Sequence, residues 1–414
     1  MIKLNFKNNS ISLVTSLAVS ALFIVILLLP NNLWYKLFIF LNVPAGGLDL
    51  ADAKSIVNYS EIFKQNGFVD IEAVDFWNRK FSGISLIWKE IAILFKFYNS
   101  QNFYIFIFLS FSIYIFSILK IAFINITKLN FFITILFFFT TSSFYLIERG
   151  NFDLILFGIV TLLCFVKEKK YQLLIIVTLC FLKINLIFLF FILVKNIKTF
   201  LNYSLLASFI FFLNFKYIVA GYVEIGSSAS ITHYGIFPII KSILHFFNKI
   251  TILDVNKYTN LLGIFVLIIF SITALFFLVK ELKKININSI SLKFSLTENL
   301  FLAGSFFYIL SFISFSAPDY KLVFLILSLP YLLNKKLFFL IFAIFAIMNS
   351  CVFESYPLFQ NIFNGEDRIF ADKNSIKYFL SGITIHLLKI FVFISLLTET
   401  ISLYKKKLST SNFV

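Results

Sequence analysis

Residues 144–158 read FYLIERGNFDLILFG: an acid, a base, a glycine, an amide and a second acid between two apolar runs. A turn between two membrane helices needs only a glycine or an asparagine. Glu148, Arg149 and Asp153 at one such boundary therefore need a further explanation. A charge at mid-bilayer costs roughly 2.5–3.5 kcal/mol on insertion scales, so charges kept near a boundary call for partners, a wet cavity, or both.

The surrounding chain repeats the apolar pattern. Of its 414 residues, 60% are hydrophobic and only 14% charged, and the mean hydropathy is +0.94. Soluble domains carry roughly a quarter charged residues. Continuous apolar stretches of roughly 15–24 residues recur throughout, which predicts an all-α integral membrane protein. An outer-membrane barrel is excluded, because the runs do not alternate. The 60 phenylalanines read as codon bias, not as chemistry. The net charge of +16 gathers in short loops, which points to a lipid bilayer and not to nucleic acid. Cys164, Cys180 and Cys351 show no pairing or metal spacing and read as packing residues.

Positive charge orients the spans. Lys3 and Lys7 place the N-terminus in the cytoplasm, and residues 11–29 read as a retained first helix. Residues 30–100 form a large first outer loop whose amphipathic pieces, LWYKLFIFL and ISLIWKEIAILFKF, suit the outer interface. Helices follow near 102–120, 131–147 and 152–166. Residues 171–197 read as a hairpin of two short helices turning at Lys183-Ile184-Asn185, which keeps both basic ends inside. Later spans fall near 199–219, 259–279, 299–316, 319–333, 335–352 and 381–400, with outer loops at 220–258 and 354–380. The expectation is about twelve crossings in one polytopic domain over residues 1–414, without a soluble domain or repeat, and with both termini cytoplasmic.

This topology collects the unusual polar groups on the outer face. Asp49, Asp52, Lys54, Asp75 and Arg79 come from the first loop. Glu148, Arg149, Asn151 and Asp153 come from the quoted boundary, Lys183 and Asn185 from the hairpin turn, and Asp319, Tyr320 and Lys321 from SAPDYK. Asp49 and Asp153 read as structural ion-pair partners. Asp52, Arg149, Lys183 and Lys321 converge from four segments and read as a site. Acids and bases mixed at a membrane surface suit an anionic lipid head and a hydroxyl-rich partner. The cations would hold the phosphate of a polyprenyl-phosphate sugar and stabilise it as a leaving group. One carboxylate would take the acceptor's hydroxyl proton, giving inversion at the anomeric carbon.

The same residues resemble a known family. ADAKSIVNYSEIFKQNGFVDIEAVDFWNRK looks like the first outer loop of multispanning GT-C glycosyltransferases of the family-87 type. These carry Asp-x-Arg-x-Ile, a Gly, then Asp-Pro-Trp-x-Arg. Asp52-Ala53-Lys54-Ser55-Ile56, Gly67 and Asp75-Phe76-Trp77-Asn78-Arg79 fill those places. ERGNFD resembles the family's Glu-Arg-Gly-Asn/Gln-x-Asp boundary, FLKINLIFLF its Leu-Lys-x-x-Pro segment, and SAPDYKLVFLILSLP its Tyr-Asp-Tyr-Arg segment. The resemblance implies a GT-C-like fold, a polyprenyl-phosphate sugar donor, a glycan or lipid acceptor, outer-face catalysis at the cell inner membrane, and Asp52 as base. Lys54, Asp75, Arg79, Glu148, Arg149, Asn151, Lys183, Asp319, Tyr320 and Lys321 would bind substrate. Arg149 is expected on the lipid phosphate, with Glu148 orienting it or serving as a second acid. Asn151 would cap the next helix or join the site. The departures are Phe76 for Pro, Lys54 and Lys321 for Arg, Asn185-Leu186 where the Pro is expected, and FSGISLIW after Arg79. Lysine contacts phosphate as a point charge instead of a fork.

SSASITHYGIFPIIKSILHFF, with His233 and His245, reads as an amphipathic helix over the site, its histidines too far apart for a local metal pair. The GEDR at 365–368 reads as solvated loop charge. Asp49 and Asp52 are spaced so that both could approach one divalent cation, but lysine and arginine alone can neutralise a monophosphate leaving group, so no metal or cofactor is expected to be required. Two competing readings remain: a lipid-linked saccharide flippase or transporter, which calls for repeats and broken helices in both halves, and a polysaccharide ligase or polymerase using a diphosphate-linked donor.

Overall fold

A computed structural model describes residues 29–41, 43, 50–69, 86–124, 127–194, 197–213, 233–234, 294–314, 317–350 and 376–411, with a few isolated positions. Within them the chain is almost wholly helical. Three helices precede the first long one: α1 (Asn31–Phe40), α2 (Ala51–Asn66) and α3 (Leu86–Leu94). Then come α4 (Ser100–Ala122), α5 (Lys128–Phe138), α6 (Thr141–Glu148), α7 (Asp153–Phe165) and α8 (Lys169–Leu182). A 3-10 helix (Ile184–Leu189), α9 (Phe190–Leu193) and α10 (Ile197–Leu213) follow, with the short strand β1 (His233–Tyr234) beyond them. The C-terminal part holds α11 (Leu296–Ser314), β2 (Ala317–Pro318), a second 3-10 helix (Asp319–Ser328), α12 (Leu329–Asn334), α13 (Phe338–Met348) and α14 (Ile376–Ser411).

Among the described residues, three helical stretches are long and apolar enough to cross a membrane: Ser100–Ala122, Leu296–Ile313 and Ile383–Lys407. The pair α5 and α6, bent by 44° at its break, would make a fourth. Their outward faces carry bare apolar side chains, such as Phe108 and Phe116 on α4 and Leu387 and Ile394 on α14. Apolar area on this scale suits lipid and is costly in water. The spans expected near 11–29 and 259–279, and the loops at 220–258 and 354–380, lie almost entirely outside the described residues.

Several expected spans differ in form. The helix expected over 131–147 is broken at Phe139–Thr140. The break is held by side chains: Thr140 Oγ1 donates to Phe137 O at 2.8 Å, Thr141 Oγ1 donates to Met348 O at 2.9 Å, and Asn349 Oδ1 accepts from Thr141 N at 3.1 Å. Backbone groups freed by a kink inside a membrane need such partners. The segment expected as a helix over 319–333 is a 3-10 helix running into α12. Gly304 accounts for its close packing on α11, since a Cβ there would lie 2.7 Å from Phe324 O. Phe307 stacks on Phe324 with centroids 3.8 Å apart beside that contact.

At the hairpin, α8 stops at Lys183, whose backbone is extended. The 3-10 helix then packs back along α8. Lys169 Nζ, at the start of α8, donates to Leu193 O at 3.5 Å, so the returning strand of the hairpin reaches the level at which α8 began. With 13 and 14 residues, α7 and α8 are about 20 Å long, against about 30 Å for the hydrocarbon layer.

The bundle has two polar ends. At one, Lys407 pairs with Glu298 at 2.8 Å, Lys335 with Glu399 at 3.7 Å, and Tyr331 donates to Glu399 at 2.6 Å. Ser295 and Glu298 cap α11 there: Ser295 N donates to Glu298 Oε2 at 2.7 Å. The other end of α11, about 27 Å away along its axis, leads into β2 and Lys321. The second cluster forms at that end.

Candidate functional site

The site is built on two tight backbone features. Gly150 has φ +58°, and a Cβ there would fall 2.9 Å from Leu50 Cδ2 and 3.2 Å from Ala53 Cβ. Glycine therefore both makes the turn after α6 and lets α2 seat on it. Leu50, with φ 53°, starts α2 from the left-handed region. The seating is fixed by backbone bonds: Leu50 N donates to Glu148 O at 2.9 Å, and Asp52 N donates to Arg149 O at 3.0 Å. The first N–H groups of a helix lack partners within it. Here two carbonyls from the Glu148-Arg149 turn supply them.

This docking delivers Asp52 to the quoted stretch. Arg149 donates to Asp52 Oδ1 through Nη2 at 2.7 Å and Nε at 3.1 Å. Asn151 Nδ2 donates to Asp52 Oδ2 at 2.7 Å. Asn151 also accepts from Asp153 N at 2.9 Å through Oδ1, so one amide both caps α7 and holds the carboxylate. For Asn151 the expected capping role thus coexists with a contact to Asp52. Arg149 grips Asp52. Glu148 is buried at 2% exposure, and its backbone carbonyl is the group that receives α2.

Beside this pair lies a second. Lys183 donates to Asp153 Oδ1, closing a contact between the hairpin turn and the start of α7. Asp153 is 1% exposed and its Oδ2 meets no donor among the described residues. Lys321 lies close enough for the charges of Lys183, Asp153 and Asp52 to act on it, and it makes no ion pair among the described residues. Two carboxylates and three cations from α2, the α6–α7 turn, the hairpin and the second 3-10 helix thus share one end of the bundle.

Other expected residues fall elsewhere. Lys54 is two positions after Asp52 on α2, and residues so spaced do not share a helix face. Asp319 and Tyr320 open the second 3-10 helix directly before Lys321. Asp49, Asp75, Arg79 and His245 lie outside the described residues, as do the GEDR residues. Asn185 is in the first 3-10 helix. His233 and Tyr234 are not helical as expected: they form a strand that pairs antiparallel with Ala317–Pro318, His233 opposite Pro318. The extended backbone before Lys321 offers an edge that a helix would lack, and this pairing ties the 233–234 segment to the site end of the bundle.

Two site features were not anticipated. Asp153, read as a structural ion-pair partner, does pair with Lys183, and it is also joined through Asn151 to Asp52. The signal was present in the sequence: a carboxylate opening one apolar helix and a lysine closing another belong to the same end of the bundle. The second feature is α3, which covers the turn. Trp88 stacks on Phe152 with centroids 4.2 Å apart, and Ser60 Oγ of α2 donates to Ala92 O at 3.2 Å. Lys89, 3% exposed, lies over the Tyr59 ring at 5.4 Å, and burial pushes its ammonium below the usual lysine range.

No group of three or more His, Cys, Asp and Glu placed to hold a metal ion occurs among the described residues. Cys164 and Cys180 are free thiols buried in the packing. The class defined at this point is a helical membrane protein with a charged cluster at one end of its bundle. Comparison with family models, with curated proteins and with solved structures finds no match to this chain.

Proposed function

We propose that this chain is a membrane glycosyltransferase of the GT-C kind, moving a sugar from a polyprenyl-phosphate donor to a hydroxyl of a glycan or lipid acceptor. The observation that carries the reading is the Asp52–Arg149–Asn151 constellation beside Asp153–Lys183, with Lys321 within range of both. The resemblance of ADAKSIV, ERGNFD, FLKINL and SAPDYK to the family-87 motifs supports it, since the residues that carry it meet at one end of the bundle.

The reaction asks for three things. An acceptor oxygen attacks the anomeric carbon, the bond from that carbon to the phosphate oxygen breaks, and polyprenyl phosphate leaves with the electron pair. Asp52 takes the hydroxyl proton. Arg149 and Asn151 fix the direction of that carboxylate, which is what pre-organised acid–base catalysis requires. Lys183 and Lys321 contribute positive charge for the departing phosphate, worth most in a site that excludes water. No metal or cofactor is assigned a step.

In this reading the protein sits in the cell inner membrane with about twelve crossings, both termini in the cytoplasm and the Asp52 cluster on the outer face. The purified protein in liposomes, given polyprenyl-phosphate sugars and candidate acceptors, should transfer sugar. Asp52→Asn should abolish transfer while the protein still inserts, and normal turnover by that variant removes the base assignment. Movement of the lipid across sealed vesicles without bond exchange identifies a flippase instead. Use of only diphosphate-linked donors identifies a ligase or polymerase.

A further inference from the structure

The end of the bundle away from Asp52 is rich in lysine. Asp153 opens α7 and Lys183 closes α8 at the site, so the α7–α8 turn lies at the opposite end, where it exposes Lys167 and Lys170. Tyr404 Oη donates to Phe191 O at 2.9 Å and Lys169 Nζ to Leu193 O at 3.5 Å, which brings the last part of α14 to the same level. There α14 exposes Lys405 and Lys406, and the α12–α13 turn exposes Lys335 and Lys336. The carboxylates at this end, among the described residues, each have a lysine on them: Glu168 has Lys170, Glu298 has Lys407, and Glu399 has Lys335. The remaining surplus of charge is positive.

One of these lysines sits where glycine is usual. Lys336 N donates to Leu333 O at 3.1 Å and Leu337 N to Leu332 O at 3.0 Å, the paired bonds that close a helix in a Schellman turn. Lys336 itself has left-handed backbone, with φ 56°. A side chain there strains the turn, and strain of this kind gathers where a side chain has a function. α13 starts two residues later, and its first turns hold Phe338, Phe339 and Phe342 bare, at 53%, 68% and 67% exposure. Phe339 meets Phe391 of α14 edge-on, with centroids 5.2 Å apart. α14 continues the apolar wall with bare Ile394 and Ile401, and Lys405 follows Ile401 by one turn.

Cations on the rim of a bare apolar wall suit an amphiphile whose charge and chains stand side by side. We propose that the α12–α13 turn binds an anionic phospholipid, its phosphate at Lys336 and its chains against Phe338, Phe339 and Phe342, with Lys405 and Lys406 adding to the positive field. Charge complementarity favours this occupant over a zwitterionic lipid, whose ammonium the surplus of lysine repels. The wall favours it over nucleic acid or an acidic protein: Phe338 stands two residues from Lys336, and a polymer of phosphates or carboxylates leaves such rings unmatched. A cluster of about four to eight lysines or arginines beside a membrane helix recognises anionic lipid, and the six exposed lysines named above fall in that range. This site is separate from the Asp52 cluster and holds whether or not the chain transfers sugar.

Thermal unfolding of the full chain in detergent tests this, with phosphatidylglycerol, phosphatidylcholine, glycerol phosphate and a DNA oligonucleotide as probes. Phosphatidylglycerol should raise the midpoint, the other three should not, and added salt should reduce the rise. Lys336→Gly should raise the midpoint without lipid, by relieving the turn. The same variant should move the half-saturating concentration of phosphatidylglycerol up roughly fivefold, the worth of one lysine near an anionic surface. Lys336→Asn, which also tolerates the left-handed region, should respond alike. Lys96→Gly is the control: Lys96 closes α3 by the same pair of bonds, with φ 52°, on the helix whose Trp88 stacks on Phe152 at the site end. It should relieve the same strain and leave the lipid response intact. Equal responses to phosphatidylglycerol and phosphatidylcholine, or a match by glycerol phosphate or the oligonucleotide, overturn the phospholipid. A response that survives both Lys336 variants, or that Lys96→Gly weakens as much, overturns the site and leaves the lysines as signals of topology alone.

Discussion

Leu50 rests on Gly150: its Cδ2 lies 2.9 Å from where a Cβ on that glycine would be. The contact decides whether α2 reaches the turn that carries Arg149 and Asn151, and hence whether Asp52 has its partners. A left-handed backbone on a residue other than glycine costs roughly 1–2 kcal/mol. Gly150→Ala should add to that the displacement of α2, a further overpacking cost of about 1–3 kcal/mol. Gly67, at φ +73° with nothing within 4 Å, supplies the control: Gly67→Ala should show the conformational cost alone. Thermal unfolding of the two variants in detergent compares them, and equal losses would mean that the Leu50 contact carries nothing.

Arg149 and Asp52 share two hydrogen bonds to one oxygen. Hydrogen bonds to charged groups contribute roughly 1.5–3 kcal/mol. A double-mutant cycle with Arg149→Met and Asp52→Asn, read by chemical unfolding in detergent, should give a coupling of about 1–3 kcal/mol. Arg149→Lys should retain part of it, because one ammonium cannot reproduce the fork. A coupling near zero would separate the two residues energetically.

Asp153 is nearly sealed off, while Lys183 keeps about a fifth of its side-chain surface. Removing one partner of a buried pair costs about 3–5 kcal/mol, because the other charge is left behind. Lys183→Met should approach that loss. Adding Asp153→Asn should recover a large share of it, since no stranded carboxylate remains. A double variant less stable than Lys183→Met would show that Asp153 has other obligations.

Gly304 is the seat of the segment that presents Lys321. Gly304→Ala would push a methyl to 2.7 Å from Phe324 O and 3.2 Å from Leu327 Cβ. Overpacking of this kind costs about 1–3 kcal/mol. The variant should also lower sugar transfer more than a change at the far end of the bundle, because the strained segment carries the cation. Tyr331→Phe is that comparison: it loses the bond to Glu399 and about 1.5–3 kcal/mol, with transfer per folded molecule unchanged.

Much of this arrangement is legible in the sequence. The apolar runs and their basic ends gave α4, α11 and α14, and the turn at Lys183 followed from the need to keep Lys195 and Lys198 on the side of Lys169 and Lys170. The meeting of Asp52, Arg149 and Lys321 was expected from sidedness alone. Their pairing was not: sidedness says which end a residue occupies, and only the docking of Leu50 and Asp52 on the Glu148 and Arg149 carbonyls makes Arg149 a partner of Asp52. Local hydropathy does not separate a 3-10 helix from an α-helix at 319–328, and the packing of that segment on Gly304 joins parts of the chain that no local window spans. The bend at Thr140 was hidden likewise, since Asn349 and Met348, which hold it, are two hundred residues away.

The shortness of α7 and α8 carries a mechanical implication. In the proposed topology, where both cross the bilayer, elements of about 20 Å match a hydrocarbon layer of about 30 Å only if the surrounding leaflet dimples toward them or water descends to meet them. Each ångström of mismatch carries a modest cost, so in that topology α7 and α8 favour a locally thin bilayer. A headgroup at the surface of such a dimple already lies at the depth of Asp153 and Lys183, and it need not be lifted out of the lipid to be reached.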